Sequence, residues 1–393
     1  MWSETTPMSE RVAFIQKTLH RRSTFRLLCQ EFGVSEKTGY KWVKRFAEGG
    51  IVALADRSHA PRHPAHQVAE AIRQLILTCR RRHPHWGPRK LRAVLQRHDP
   101  TTGWPAPSTI GGILRQAGLV GPTRRPRRRP PVAPLPAAPE QPNALWCTDF
   151  KGEFLVGNGA WCYPLTLTDS ASRFLLSCSA LTSTRSVEAW PVFRRAFQRY
   201  GLPRAIRSDN GVPFATTALA RLSPLAVWWI RLGIRSELIA PGHPEQNGRH
   251  ERMHKTLKAE TARPPAPTLE AQQGRFDRFR ARFNQQRPHE ALGYTPPAEH
   301  YQASDRPLPK RLPALEYAPD CVLRRVMSNG CFRWHSHRVF LSSVLAGQSI
   351  GLEEIEDGLW AVSFGPLLVA HFDATTVTLC EKLEWRVSPI IPV

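Results

Sequence analysis

The first part of the chain spaces its apolar residues as amphipathic helices do. Within residues 9–47, a helical pattern ends at Gly33, and Ser35 stands where it would cap a second helix over 36–46. A helix, a glycine-containing turn and a capped basic helix together predict a helix-turn-helix unit. The alternative is an ordinary helical hairpin with a solvated basic face.

A second helical pattern covers residues 65–120. Its first helix has apolar positions at helical spacing, which are Val68, Ile72, Leu75, Ile76 and Cys79. Another helix opens in the stretch 85–91, and Ser108 is expected to cap a third helix over 109–117. We interpret this as a second helix-turn-helix unit, with its recognition helix at Ser108–Arg115.

The pattern changes to alternating strands and helices over residues 143–260. Short apolar runs predict strands at 144–150, 161–168, 173–179, 204–208 and 234–238. Longer amphipathic runs predict helices at 183–200, 215–232 and 244–259. Three early strands followed by alternating helices and strands indicate an α/β domain with a mixed sheet and helices on its faces.

The remainder of the chain predicts one helix and then a small β-barrel. The helix covers 268–286 and carries Phe276, Phe279 and Phe283 on one stripe. From about 318 to 373, apolar runs alternate with hairpin signals such as Asn329-Gly330 and Asp357-Gly358, with a loose tail beyond. The expected domains are therefore 1–60, 61–120, a basic proline-rich linker at 121–142, 143–262, a helical extension at 263–313, and 314–393.

The net charge of +23 changes the picture, because it predicts a polyanionic partner such as nucleic acid. Residues 1–140 hold 25 Lys and Arg against 9 Asp and Glu, so most of the excess lies there. In the linker, extended by its prolines, the residues expected to contact phosphates or the minor groove are Arg124, Arg125, Arg127, Arg128 and Arg129. The candidate DNA contacts of the two helical units are Lys37, Lys41, Lys44, Arg45, Arg89, Lys90, Thr109 and Arg115. A merely solvated charge run is the alternative.

The eight cysteines include no Cys-x-x-Cys pair, so neither a structural zinc site nor a disulfide framework is predicted. There is no apolar run of 18 or more residues and no signal-peptide pattern. We expect a soluble, cytoplasmic protein with no membrane partner.

Three acidic residues stand in contexts that suit a metal-dependent site. Asp149 interrupts an apolar strand, Asp209 follows the short strand 205–208, and Glu245 stands 36 positions further on at the start of a helical pattern. Carboxylates are the oxygen ligands that Mg²⁺ prefers. Each acid also has an ordinary explanation, as an edge-strand, turn or helix-cap residue, and all three being ordinary is improbable.

Four sequence blocks resemble those of DDE transposases, whose catalytic core is of the retroviral-integrase type. They are Trp146-Cys147-Thr148-Asp149-Phe150, Thr168-Asp169-Ser170-Ala171-Ser172-Arg173, Arg207-Ser208-Asp209-Asn210-Gly211-Val212-Pro213-Phe214 and Pro241-Gly242-His243-Pro244-Glu245-Gln246-Asn247-Gly248-Arg249. With two helix-turn-helix units, the chain is similar to bacterial insertion-sequence family 481, a relative of family 3. The resemblance implies an RNase H-like fold, with Asp149, Asp209 and Glu245 as catalytic ligands of two Mg²⁺ ions, which Mn²⁺ can replace.

The same resemblance implies a function on double-stranded DNA. The expected activity is to bind terminal inverted repeats, free 3′-OH ends and join them to target DNA, in a homo-oligomer that is at least a dimer. From helical spacing, Arg249 and Arg252 share a face with Glu245 and are expected to grip phosphates, and Asn210 to shape the turn at Asp209 and touch DNA. The alternatives are a catalytically inactive or domesticated DNA-binding regulator and a stand-alone RNase H-like nuclease.

Overall fold

A computed structural model describes residues 6–20, 23–56, 68–121, 139–240 and 243–380, without the side chains of residues 244, 245 and 380. The chain forms two compact units, Met1–Ala69 and Glu70–Val393. Five predicted DNA contacts lie outside the described residues, and they are Arg124, Arg125, Arg127, Arg128 and Arg129. In the described part of the chain, no helix is long and apolar enough to cross a membrane.

The first unit confirms the predicted helix-turn-helix pattern. Its helices are α1 (Pro7–His20), α2 (Phe25–Glu31) and α3 (Glu36–Gly49). The Ser35 side chain caps α3 by accepting a hydrogen bond from the Thr38 amide. Phe14, Leu28 and Trp42 meet in the core between the three helices.

Gly39 allows α3 to lie close against the other helices of this unit. A Cβ atom at this position would lie 2.7 Å from Cys29 Sγ and 2.9 Å from Phe25 Cζ. We therefore expect Gly39→Ala to destabilise the unit by about 1–3 kcal/mol through overpacking, measured by hydrogen exchange of the α1–α3 amides in the full chain. Gly112→Ala is the matched control, because nothing lies within 4 Å of its added Cβ atom, and it should leave stability unchanged or raise it.

The second helical group packs α4 (Glu70–Arg82), α5 (Pro88–His98) and α6 (Pro107–Gln116) together. The predicted Ser108 cap is wrong, because α6 begins two residues earlier than expected, at Pro107, with Ala106 as its N-cap. The fixed backbone angle of proline suits the first position of a helix, so Pro107 rather than a serine cap sets the start.

The central sheet has the strand order of the RNase H-like fold. Its strands are β1 (Leu145–Phe150), β2 (Phe154–Leu155), β3 (Trp161–Asp169), β4 (Leu175–Leu181), β5 (Ala205–Ser208) and β6 (Arg235–Leu238). The order across the sheet is β4, β3, β1, β5, β6, and the short β2 pairs with the start of β3. The first three strands along the sheet are antiparallel, while β1, β5 and β6 run parallel. All five predicted strands are present.

Helices cover both faces of this sheet. On one face, α7 (Ser186–Tyr200) and α8 (Pro224–Arg231) bury a core that includes Trp146, Phe193 and Trp229. On the other face lie α9 (Gly248–Thr261) and α10 (Leu269–Gln285).

The α10 stripe of Phe276, Phe279 and Phe283 is buried as predicted, and it packs with Met253 and Leu257 of α9.

Two predicted helices begin later than expected. The helix predicted at 215–232 starts only at Pro224, where Ser223 caps it, because Ala220 and Arg221 before it have positive φ angles. The helix predicted at 244–259 begins as a 3-10 turn over Pro244–Asn247, and regular α-helix follows from Gly248.

The C-terminal region is a sheet-rich half-barrel. Its strands are β7 (Val322–Arg325), β8 (Cys331–Trp334), β9 (His337–Phe340), β10 (Ser349–Glu356), β11 (Leu359–Phe364), β12 (Leu367–Asp373) and β13 (Thr378–Cys380). A five-stranded antiparallel sheet and the β8–β9 hairpin enclose Phe332, Phe364 and Phe372. The predicted hairpin glycines Gly330 and Gly358 have φ angles of +79° and +74°, and pairing extends into β13, beyond the predicted end at 373.

Candidate active site

Two carboxylates lie side by side at the ends of neighbouring parallel strands. In the β1–β5 register, Cys147 stands opposite Arg207. Asp149 and Asp209 each lie two residues further along their strand directions, so they reach the same edge of the sheet. The structure therefore brings together the two aspartates that the sequence singled out.

Burial and mutual repulsion disfavour the charged form of this pair. The pKa of Asp149 is raised to about 7, first by burial and then by the charge of Asp209, while Lys151 opposes the shift. Burial also raises the pKa of Asp209, although the Gly211 amide donates a hydrogen bond to its carboxylate. Paired oxygen ligands that repel each other suit a divalent cation, which would neutralise both.

This raised pKa predicts a pH-dependent stability. Because the ordinary carboxyl pKa is 3.8 and that of folded Asp149 is about 7, the folded state holds the proton more tightly, and stability falls as pH rises through this range. Asp149→Asn should be more stable than wild type by an amount that grows from about pH 4 to pH 7, up to about 4 kcal/mol.

Urea unfolding at about pH 5 and pH 8 measures this difference. Excess Mg²⁺ should narrow the gap at pH 8 by stabilising wild type alone, since only wild type retains both carboxylates. The exposed Asp320 supplies the matched control, Asp320→Asn. A gap that does not change with pH would contradict the prediction.

The third acid of the sequence prediction is placed differently. Glu245 lies in the 3-10 turn Pro244–Asn247, and its side chain is outside the described residues. In the first turn of α9 stands another acid, Glu251, whose charge also raises the pKa of Asp149. Within the described ranges, no group of three or more His, Cys, Asp or Glu side chains is close enough to hold a metal ion.

The sequence analysis did not single out Glu251, because it took Glu245, at the start of the helix predicted from position 244, as the third acid. The signal was present in the pattern of α9, where His250, Met253, His254 and Leu257 form the buried stripe. That stripe faces the sheet, so Glu251, next to His250, stands at its edge near the strand ends.

Two buried threonines and two buried histidines form a hydrogen-bond network that includes the Asp149 carbonyl. The Thr166 hydroxyl donates to the Asp149 carbonyl at 3.1 Å, and its oxygen lies 2.7 Å from His250 Nε2 and 2.6 Å from His254 Nε2. Since the hydroxyl has one proton to give, both Nε2 atoms must be the donors. Thr168 then donates to His250 Nδ1 at 2.7 Å.

The same tautomers orient His254 toward the carboxylate pair. Its Nδ1 atom lies 3.6 Å from Asp149 Oδ2. Burial lowers the pKa of His250 to about 3 and that of His254 further. Both rings are therefore neutral near pH 7, and His254 presents an unprotonated nitrogen to the site.

The predicted DNA contacts occupy several surfaces. On α3, Lys37, Lys41 and Lys44 are exposed and Arg45 is half-buried. Lys41 and Arg45 both lie against the Trp42 ring. On α6, Thr109 and Arg115 are exposed.

The two predicted contacts on α5 face the catalytic domain. Arg89 pairs with Glu290 at 2.9 Å, and the pKa of Lys90 responds to the charges of Arg287 and Arg252. Arg249 and Arg252 are exposed on α9 and line one cavity with Lys90.

Asn210 holds the turn at Asp209, as predicted, because its Nδ2 atom donates to the Ile239 carbonyl at 2.8 Å.

Family comparisons match most segments of the chain. Models of the integrase core domain match residues 139–244 and 232–297. A helix-turn-helix domain model matches residues 10–62, and a homeodomain-like domain model matches 38–114.

Two bacterial insertion-element proteins are similar to this chain. The insertion element IS407 uncharacterized 31.7 kDa protein of Burkholderia multivorans is 27% identical over 63% of this chain and 88% of its own length. The insertion element IS476 uncharacterized 39.2 kDa protein of Xanthomonas euvesicatoria is 28% identical over 59% of this chain, and the match spans 65% of that relative.

Among solved structures, the HTLV-2 integrase catalytic core domain in complex with magnesium matches 41% of this chain and 98% of its own, at 19% identity and a TM-score of 0.33. A simian T-cell lymphotropic virus intasome matches 76% of this chain and 97% of its own, at 17% identity and a TM-score of 0.37.

Proposed function

We propose that this chain, a bacterial insertion-sequence protein of the integrase-like transposase family, cuts the ends of its element and joins them to target DNA. The observation that carries the proposal is the pair Asp149 and Asp209, held together on adjacent strands of an integrase-type core. Such a pair suits phosphodiester chemistry, in which negative charge accumulates on the oxygens around phosphorus.

The proposed reaction has two steps of the same kind. In the first, a water oxygen attacks the phosphorus, the bond to the 3′-oxygen breaks, and a free 3′-OH results. In the second, that 3′-OH attacks a target phosphodiester, so one P–O bond forms as another breaks. No covalent protein–DNA intermediate is required.

In this scheme Asp149, Asp209 and Glu251 are the metal-holding carboxylates, with Glu251 in the role that the sequence gave to Glu245. Two Mg²⁺ ions, or Mn²⁺ in their place, would supply activation of the attacking oxygen and stabilisation of the leaving one. Thr166 is a positioning residue, because its hydroxyl donates to the Asp149 carbonyl and accepts from His254, whose ring lies 3.6 Å from the Asp149 carboxylate.

Residues 10–120 are proposed to bind the terminal inverted repeats. The family matches to helix-turn-helix domains and the exposed basic side chains of α3 support this assignment. Two ends must be handled together, so the acting form is proposed to be at least a dimer.

Incubation of the protein with its element's end DNA, a target duplex and Mg²⁺ tests the proposal. Joined products, seen as longer strands on a denaturing gel, are the expected result. Cleavage without joining would identify a nuclease, and binding without either reaction would identify a DNA-binding regulator.

A further inference from the structure

A cavity of about 570 Å³ lies beside the carboxylates, between α5 and the first turn of α9. Asp149 and Asp209 do not line it, whereas Glu251 does. Six Lys and Arg side chains line it as well. Arg207 and Arg287 are each paired with a glutamate, and the other four are Lys90, Arg173, Arg249 and Arg252. The cavity is therefore a neighbour of the proposed catalytic centre. Its volume falls in the range of small-ligand sites, so it is large enough for a nucleotide.

Cations outnumber acids around this cavity, because six Lys and Arg side chains line it with three acids, Asp169, Glu251 and Glu290. Burial and the charges of Arg287 and Arg252 lower the pKa of Lys90 to about 8. Burial and Arg249 lower the pKa of Arg173 to about 10. Arg287 has a partner in Glu260 at 2.9 Å, but the four basic side chains named above have no ion pair within the described parts of the chain. Cations that repel one another in a half-buried cavity indicate an anionic ligand.

Asn247 supplies an independent sign of a ligand. It is the N-cap residue of α9, yet its side chain makes no capping hydrogen bond. Only 4% of the residue is exposed, and among the described residues neither its Nδ2 nor its Oδ1 atom has a partner. A buried amide with both groups unpaired is costly, and it lines the cavity.

The chemistry of an amide narrows the class of ligand. Asparagine presents one donor and one acceptor side by side, which matches the edge of a nucleobase such as adenine. The buried Nε2 atom of His289, which has no partner in the described part of the chain either, lines the same cavity and adds a second polar group. If the base of a nucleotide bonded to Asn247, the phosphates on either side of that nucleotide would lie within reach of the surrounding cations.

We propose that this cavity receives one unstacked nucleotide of the element's end DNA, with the Asn247 amide bonded to the base edge and Lys90, Arg249 and Arg252 at the flanking phosphates. The proposal rests on the proposed function and deepens it. Because Lys90 lies on α5, the bound nucleotide would also tie the second helical group to the catalytic domain at the moment an end is engaged.

The test uses 2-aminopurine, whose fluorescence rises when it leaves the base stack. End duplexes carrying one 2-aminopurine at successive terminal positions are mixed with the full-length protein without Mg²⁺. Wild type should give a rise at one position. Asn247→Leu, which keeps the size but removes both polar groups, should lower the unstacked fraction about fivefold or more.

Matched variants separate the cavity from general charge. Lys90→Ala should reduce the signal, whereas Lys258→Ala, on the exposed side of α9 outside the cavity, should leave it unchanged. Asn247→Asp keeps the size and the acceptor but removes the amide donor. It therefore tests the donor even if Asn247→Leu folds poorly. Unchanged thermal unfolding confirms that each variant is folded.

The outcomes distinguish this inference from the proposed function. Joining with no rise at any position, or a rise that Asn247→Leu retains, would overturn the inference and leave the transposase proposal standing. A rise without joining would support the cavity and overturn the chemistry, and the absence of both would overturn both. Binding of a free deoxynucleoside monophosphate with no unstacking in DNA would mean that the cavity takes free nucleotides instead.

Discussion

Glu251→Gln should reduce both end cleavage and strand joining by about 10³-fold, while Glu245→Gln should leave them close to wild type. Glu251 lies in the first turn of α9, and its charge acts on Asp149. The loss of one preorganised electrostatic group at a reacting phosphate costs roughly 10²–10³-fold, and the loss of a metal-holding carboxylate should be at the upper end.

The measurement is a gel assay of cleaved and joined products with Mg²⁺ in excess, together with a binding assay on the same end DNA. Binding should be unchanged in Glu251→Gln, because the helix-turn-helix units are intact. Glu270→Gln is the matched control, since Glu270 is likewise an exposed acid in the first turn of a helix, α10. If Glu245→Gln abolishes joining and Glu251→Gln does not, Glu245 is the third metal-holding carboxylate and Glu251 is not.

The difference between the two glutamates shows where sequence reasoning reaches its limit. The strands at Asp149 and Asp209 were predictable because apolar runs bounded by turn residues are a local signal. The parallel β1–β5 register then places both carboxylates together. The third acid depends on how the helix begins. Glu245 lies in the 3-10 turn Pro244–Asn247, and the acid that we propose in its place, Glu251, lies in the first turn of α9.

The basic residues of α5 show what the tertiary fold adds to a prediction made from charge. Arg89 and Lys90 were predicted as DNA contacts from charge and position. In the structure Arg89 is paired with Glu290, and Lys90 is desolvated among other cations. The local sequence shows that a helix is basic. Only the tertiary fold determines whether its charged side chains are exposed to solvent, paired with a carboxylate or directed into a cavity.

Two turns of the C-terminal half-barrel were predictable for a local reason, because Gly330 and Gly358 adopt positive φ angles there, whereas the β8–β9 turn has no glycine. The late start of α8 was not predictable from the sequence. Apolar residues continue through 215–222, and only the positive φ angles at Ala220 and Arg221 interrupt the helix.

Thr166→Val should lower the free energy of unfolding by about 3 kcal/mol or more and also raise the Mg²⁺ concentration needed for half-maximal joining. Valine matches threonine in shape, but it removes the hydroxyl that accepts from His250 and His254 and donates to the Asp149 carbonyl. Each buried polar group left without a partner costs roughly 1–3 kcal/mol. Thr166 is fully buried, so water cannot replace the lost contacts.

Thr166→Ser is the matched control, because it keeps the hydroxyl and loses only a methyl group, at a cost of about 1 kcal/mol. Urea unfolding near pH 7.5 measures stability, and the Mg²⁺ concentration for half-maximal joining measures the effect on the carboxylates. A merely structural role would lower stability without moving that concentration, whereas a positioning role should raise it several-fold in Thr166→Val and leave it near wild type in Thr166→Ser. The Thr166 hydroxyl orients the His254 ring beside Asp149. If a folded Thr166→Val protein has an unchanged Mg²⁺ requirement, the network only holds α9 against the sheet and does not position the carboxylates.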